Sequence, residues 1–310
     1  MTSSYEAAVT PFETILDFLR FGISQANSHH LYYGHGTDNA LDDITALILG
    51  GLHLPFDSDY RLLSARVTAE EKRLLTQLLE KRIHERVPVP YLTNVALFCG
   101  LTFYVDERVL IPRSPIAELI NQHFSPWIDP DRVERVLDLC TGSGCIAIAC
   151  SYAFPDAQID AVDISPDALD VAEMNRARHG LHEDEVCLIE SDCFAGVPED
   201  ARYQIIVSNP PYVGDDEMDS LPDEYRHEPD MALRTGHNGL AIVEKILAVA
   251  HNYLTDDGIL VVEVGNSEDA LVEAYPDLPF TWLEFEHGGH GVFLLTCEQL
   301  KAHHGATSRR

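Results

Sequence analysis

The chain is short of positive charge and of long apolar runs, and each shortage removes a class of function. Lys and Arg number 21 against 51 Asp and Glu over 310 residues, a formal net charge of −30. A field of that sign repels nucleic acid unless a local basic patch overrides it, and it attracts basic partners. No apolar run approaches the roughly 20 residues that a helix needs to cross a bilayer. The N-terminus, MTSSYEAAVTPFETILDF, has no basic stretch ahead of an apolar one. The expectation is a cytoplasmic protein with no membrane association. Cysteine comes to 7, an odd count without a C-x-x-C pair, so neither zinc spacing nor a secreted disulfide framework is present. These cysteines are expected to be small buried hydrophobes. Repeats and low-complexity segments are missing too, apart from the polar tail KAHHGATSRR at 301–310, which is expected to fray.

What remains is a globular composition, 45% hydrophobic and 23% charged, with length for one large domain or two ordinary ones. Residues 1–87 read as a helical domain. Thr68-Ala-Glu-Glu71 is a capping-box pattern ahead of KRLLTQLLEKRI, where Leu74, Leu75, Leu78 and Leu79 are expected to share one face. A second helix, ALDDITALILGGL, follows the turn-prone YGHGTDN. Residues 88–128 contain VPVPYLTNVALFCGLTFYVDERVLIPRSP, rich in β-branched and aromatic residues with Gly100 at a turn, which predicts a β-hairpin linker. Over 129–300 strand and helix patterns alternate, predicting an α/β domain with a parallel sheet covered on both faces. Gly288-Gly289-His290 is too short for a parallel crossover, so the last strand should run antiparallel.

Four constellations fall at successive strand ends. In VLDLCTGSGCIAIA, Gly142, Ser143 and Gly144 turn a strand into a helix so that backbone N–H groups face a ligand. Asp163 ends the next strand about twenty residues on, where a ribose-binding carboxylate belongs. Asp163-Ile-Ser165-Pro166 also reads as helix-cap chemistry, which Ser165 could supply, leaving Asp163 for a ligand. Ser191-Asp192-Cys193-Phe194 sets a carboxylate beside an aromatic, suited to an adenine amine and ring or simply to a solvated loop.

The fourth is Ser208-Asn209-Pro210-Pro211-Tyr212, closing the strand YQIIVSN. Proline stops the ladder and stiffens the residue before it. An Asn oxygen and a proline carbonyl then stand in fixed relation, the complement of a planar NH₂ group, and Tyr212 offers a flat face to cover it. An amide nitrogen is a poor nucleophile because its lone pair is delocalised. Gripping both N–H groups aims what density remains at an electrophile, and such positioning is worth roughly 7–11 kcal/mol of barrier.

With these segments assembled, the chain resembles the class I S-adenosylmethionine-dependent methyltransferases. It is similar in particular to the protein glutamine N(5)-methyltransferases of the translation apparatus. The likeness runs over nearly the whole chain through PVPYLTN, FYVDERVLIPR, LDLCTGSG, SNPPY, His227-Glu228-Pro229 and EHGGHGVF. It implies a Rossmann-like sheet with an antiparallel last strand, a small N-terminal helical substrate-recognition domain and a β-hairpin linker. Ser114-Pro115-Ile116-Ala117-Glu118 after Arg113, YYGHGTDNALDDITALILGGLHLP and Cys140 in place of glycine resemble the branch acting on the third protein of the large ribosomal subunit. The release-factor branch carries Pro-Glu-Thr-Glu after the same arginine.

By resemblance, S-adenosylmethionine would be held by Asp138, Thr141, Gly142, Ser143, Gly144, Asp163, Ile164, Asp192, Cys193 and Asn209. Asn209 and Pro210 would be catalytic, and Asn209, Pro210, Pro211 and Tyr212 would bind the glutamine amide. The partner implied is a basic ribosomal protein, free or in an assembly intermediate, with no direct nucleic-acid substrate. The acidic segment GDDEMDSLPDEYRHEPD is expected to be a loop beside the crevice that steers such a partner, or merely a solvated loop. Rival readings are a release-factor methyltransferase, an adenine N(6) DNA methyltransferase, a nicotinamide oxidoreductase and a non-catalytic ribosome-assembly module. His290 and Arg234-Thr235-Gly236 depart from the release-factor pattern without an evident role.

Overall fold

A computed structural model describes residues 4–307, and the chain divides into two compact units that it visits alternately. Unit 1 takes the residues up to Ala96, together with Val105–Glu107 and Pro222–His227; unit 2 takes Leu97–Tyr104, Arg108–Leu221 and the residues from Glu228 onward.

Unit 1 is helical, built chiefly on α1 (Ile15–Ser28), α2 (Ala40–Gly51) and α3 (Ala69–His84). Each begins on a side chain that satisfies an otherwise orphaned N–H. Thr14 and Thr68 form capping boxes with Asp17 and Glu71, and the Asn39 oxygen accepts from Asp42 N. The helices approach closely at Gly22, where a Cβ would sit 2.7 Å from Ile44 and 2.8 Å from Leu79. On α3 the buried face runs through Leu75, Leu78, Leu79 and Arg82. Leu74, expected on that face, is 38% exposed, since one residue along a helix rotates the side chain by about 100°.

Arg82, 1% exposed, is the charged member of this core. Its Nε donates to Asp43 Oδ2 at 2.7 Å and its Nη2 to the Tyr32 carbonyl at 3.0 Å. Glu224, from the distant segment Pro222–His227, lies 3.6 Å from Arg82 Nη1 and accepts from Tyr32 N at 3.0 Å and Arg86 Nη1 at 3.4 Å.

Unit 2 starts at a small hairpin of β1 (Ala96–Phe98, its first residue in unit 1) and β2 (Leu101–Phe103). The hairpin occupies less of the predicted linker than its composition indicates. Val89–Thr93 is helical, with proline where the first helical turn tolerates it. The main sheet holds β3 (Arg135–Leu139), β4 (Gln158–Asp163), β5 (Val186–Glu190), β6 (Tyr203–Ser208), β7 (Leu254–Glu263), β8 (Thr281–Trp282) and β9 (Val292–Thr296). Their order is β5-β4-β3-β6-β7-β9-β8, parallel through β7, with β9 antiparallel to both neighbours.

Successive residues of the central strands feed opposite faces. Leu137, Leu139, Ile206, Leu260 and Val262 join one apolar core, and Val136, Ile205, Val207, Ile259 and Val261 the other. Helices α4 (Cys145–Ala153), α5 (Pro166–Arg178), α6 (Ala241–Val249) and α7 (Cys297–Thr307) belong to this unit.

The tail does not fray as its polarity predicts. Helix α7 continues through Thr307 because Cys297 and Leu300 are fully buried at its start, Lys301 Nζ donates to Asp256 at 2.7 Å, and His304 donates to the Leu247 carbonyl at 3.0 Å. Residues 308–310 lie outside the described residues. The cysteines also differ from expectation. Cys150, Cys193 and Cys297 are buried, whereas Cys99, Cys140, Cys145 and Cys187 are partly exposed, and all seven are free. The acidic segment is more ordered than a loop, with helical turns at Asp215–Met218 and Asp223–His227. Arg234 neutralises part of it, reaching Asp215 at 2.9 Å and Asp230 at 3.1 Å.

Candidate functional site

The strands of a parallel sheet end on one edge, and in unit 2 that edge collects the candidate residues. Beyond β3 the backbone turns left-handed at Cys140, Gly142 and Gly144, with φ of 60°, 55° and 78°. The two glycines serve different needs. At Gly142 an added Cβ would meet nothing within 4 Å, so the turn leaves open space, whereas at Gly144 it would press to 3.2 Å from Ala172 Cβ on α5.

Asp138, in β3, is fully buried. Its Oδ2 accepts from Thr141 Oγ1 at 2.5 Å and from Ala147 N at 3.1 Å, while its Oδ1 has no partner. Desolvation, only partly offset by these donors, pushes its carboxyl up to about 7, and the charge on Asp163 acts in the same direction. Ser143 Oγ is a second buried polar atom without a partner. Two orphaned polar atoms around an open glycine turn fit a polar ligand at this edge.

Asp163 closes β4. Ser165 supplies the cap of α5, accepting from Ala168 N at 3.2 Å, as the sequence suggests. Asp163 is nevertheless engaged. Its Oδ2 accepts from Gly142 N at 2.8 Å and its Oδ1 from Ser165 N at 2.9 Å. Each carboxylate oxygen keeps a further lone pair, so the group is held in place without being used up. Burial raises its pKa, and the three backbone N–H groups around it oppose that rise. Ile164 beside it is 54% exposed, an apolar surface at the same edge.

Beyond β5 the arrangement departs from expectation. Phe194 does not face the edge; it is 6% exposed and stacks on Tyr253 with ring centroids 4.8 Å apart, because the apolar core claims the ring. Asp192 does stand at the edge, paired with Lys245 Nζ at 2.8 Å, and that lysine lowers its pKa. Cys193, at φ 50°, sets its thiol beside that of Cys140. This neighbouring thiol, burial and the Asp163 charge push the Cys140 thiol up.

The fourth strand end brings the NPPY turn alongside. Leu139 and Ser208 are partners in the β3–β6 register, and Ser208 Oγ donates to the Leu139 carbonyl at 2.7 Å, which sets Asn209 beside Cys140. The Asn209 carboxamide is half-buried and forms no hydrogen bond among the described residues. Tyr212 is tied down: its OH donates to Glu263 Oε1 at 2.8 Å and its carbonyl accepts from Ser267 Oγ at 2.9 Å.

Two residues of this site escape a reading of the sequence. Glu263 ends the apolar run ILVV of β7, and a lone acid there was the available signal, since Glu is seldom fully buried without a partner. Ser114, whose Oγ donates to Glu263 Oε2 at 2.5 Å, gives no local sign. Two further features of the sequence gain partners here. Glu228 of the His-Glu-Pro stretch binds both terminal nitrogens of Arg113, at 2.5 and 2.8 Å, and accepts from Ile111 N at 3.0 Å. His290 donates to Asn266 Oδ1 at 2.9 Å. Among the described residues no group of three His, Cys, Asp or Glu could hold a metal ion, and no helix is long and apolar enough to cross a membrane.

A family model described as "Methyltransferase small domain" matches residues 118–224. A ribosomal protein uL3 glutamine methyltransferase of Xanthomonas campestris pv. campestris is 48% identical over 297 residues, 96% of this chain and 96% of that protein. Its namesake in Francisella tularensis subsp. tularensis is 47% identical over 293 residues, covering 94% and 93%. Among solved structures, the hMettl16 catalytic domain in complex with a MAT2A 3'UTR hairpin matches 73% of this chain and 81% of its own, with TM-score 0.50 at 16% identity. That likeness speaks for the fold alone.

Proposed function

The chain belongs to the ribosomal protein uL3 glutamine methyltransferases, and from that premise we propose how its residues carry the reaction and with which donor. The enzyme methylates the side-chain amide nitrogen of a glutamine in ribosomal protein uL3. The donor is S-adenosylmethionine, which when bound supplies a methyl group already activated on a sulfonium.

The donor-binding residues are those around the Gly142 turn. Asp163, fixed by Gly142 N and Ser165 N, keeps lone pairs for two ribose hydroxyls. Asp138 Oδ1 and Ser143 Oγ are the buried atoms left to receive polar groups of the donor. Ile164 offers apolar surface to the base, and Asp192 binds its exocyclic amine from within the Lys245 pair.

On the acceptor side, Asn209 Oδ1 and the Pro210 carbonyl each accept one N–H of the glutamine amide. With both protons engaged in the amide plane, the nitrogen's remaining density stands above and below that plane, and one face is left for the donor. Tyr212 covers the flat amide. The work of these residues is positional, consistent with the large rate effects that fixed geometry alone delivers. The nitrogen, once substituted, loses one proton to water.

The observation that carries this reading is the partnerless Asn209 carboxamide beside the Gly142 turn. A net charge of −30 favours a basic protein over a nucleic acid as acceptor. The test is incubation with labelled S-adenosylmethionine and ribosomal proteins from cells lacking this activity, followed by mass mapping. One glutamine of uL3 should gain a methyl mass; label on a release factor or on duplex DNA, with none on uL3, overturns the reading.

A further inference from the structure

We propose that Glu263 is a positioning residue for methyl transfer, fixing the Tyr212 ring in the attitude that covers the acceptor amide. This rests on reading Asn209–Tyr212 as the turn that grips the amide.

Glu263 is 6% exposed at the end of β7, next to the strand that delivers Asn209. A carboxylate so placed is costly, and stability alone would favour an apolar residue or a direct cation partner. Arg113, whose two terminal nitrogens bind Glu228, and His290 act on it by charge but not enough to offset its burial. Glu263 instead receives two hydroxyls, one on each oxygen: Tyr212 OH at 2.8 Å and Ser114 Oγ at 2.5 Å. Ser114 is itself 6% exposed and is oriented by accepting from Ile116 N at 3.2 Å. The carboxylate therefore ties the NPPY turn to the segment that follows Arg113.

The four residues after Glu263 complete the clamp. Gly265 is left-handed at φ 46°, and a Cβ there would stand 2.6 Å from Cε2 and 3.0 Å from Cζ of the Tyr212 ring. Gly265 in turn fits only because position 291 is glycine, whose Cβ would lie 2.2 Å from the Gly265 carbonyl oxygen. Ser267 Oγ donates to the Tyr212 carbonyl at 2.9 Å. Residues 263, 265 and 267 thus hold the tyrosine by its phenol, its ring and its backbone. The ring needs all three to be fixed, since a phenol free at one end swings about its Cα–Cβ bond. Glu263 acts through Tyr212, so removing either should cost the same thing.

The experiment is a double-mutant cycle on the full-length enzyme with undermethylated uL3: wild type, Glu263→Leu, which leaves no acceptor for the phenol, Tyr212→Phe and both together. Each single variant should lower kcat/KM for uL3 by about 10- to 100-fold, since misplacing a reacting group by an ångström costs on that order. The double variant should be no worse than the poorer single one by more than about threefold, because both remove one interaction. Binding of S-adenosylmethionine by calorimetry should stay within about twofold of wild type in all of them, a split that general destabilisation would not produce.

Ser114→Ala, which keeps the Tyr212 bond but frees the second carboxylate oxygen, should give a smaller loss that disappears in the Tyr212→Phe background. Losses that multiply, equal damage to donor binding, or a Ser114→Ala effect that persists without the phenol overturns the positioning role. Wild-type enzyme that leaves uL3 unmodified overturns the acceptor-side reading and this inference with it.

Discussion

In the helical unit, Asp43 and Glu224 are 4% and 2% exposed beside the guanidinium groups of Arg82 and Arg86; at the edge of the sheet, Asp138 and Glu263 are as deeply buried against hydroxyls and a backbone amide. The first arrangement cancels charge with charge. The second leaves desolvation largely uncompensated, and both carboxyls are pushed up, Asp138 to about 7. Cations bond directly to the first pair, whereas Arg113 and His290 reach Glu263 only by charge. On the reading proposed above, the edge gives up folding stability to hold polar groups for a substrate or donor.

Four substitutions would break or sharpen that contrast. The largest effect belongs to Asn209→Ala, which should reduce turnover by about a thousandfold or more, the scale seen when a group that positions or stabilises the transition state is removed. Calorimetry should find donor affinity within about threefold of wild type; equal damage to both would move Asn209 to the donor side.

Next, Arg82→Ala should cost about 3–5 kcal/mol in chemical denaturation, because it strands Asp43 without its cation and leaves Glu224 only Arg86. A loss below about 1 kcal/mol would mean the helical unit does not depend on charge pairing. Asp163→Ala should weaken S-adenosylmethionine binding by about 10- to 100-fold, roughly the loss of one or two charge-assisted hydrogen bonds. Its effect on kcat at saturating donor should be much smaller.

The fourth is a pH dependence. The folded Asp138 carboxyl sits near 7, well above the ordinary carboxylate range, so between about pH 4 and 7 the folded state holds a proton that the unfolded chain has already lost. Its contribution to stability is therefore fullest below about pH 4 and drains away as pH rises toward 7. Asp138→Asn should flatten that part of the stability profile, whereas substitutions in the Arg82 cluster should leave its slope in place. An unchanged slope in Asp138→Asn would show that the carboxyl is not the group responsible.

The alternation of strands and helices, the antiparallel close of the sheet and the capping boxes were legible because each is written in residues a few places apart. So were the Gly142 turn, Asp163 and the NPPY turn, which lie at strand ends that periodicity marks. The clamp on Tyr212 was not. Ser114 and Glu263 are 149 residues apart and Arg113 and Glu228 115, and no local pattern encodes such pairs. Arg82 shows the same limit, since a charged side chain reads as solvent-facing until its partners are known. Phe194 was misplaced for the opposite reason: the motif around it pointed to the edge, but core packing took the ring.

Glu224 also bears on how this protein could be cut. The segment Pro222–His227 lies far along the chain, yet it folds with the helices of the first ninety-six residues. A truncation that began after Ala96 would not liberate a tidy catalytic fragment. It would carry along a glutamate whose arginines had been left behind, and the excised N-terminal piece would lack the acid that closes its own interior. The gene is continuous where the architecture is interleaved, so an expression boundary that respects the sequence cuts through the middle of a folded body.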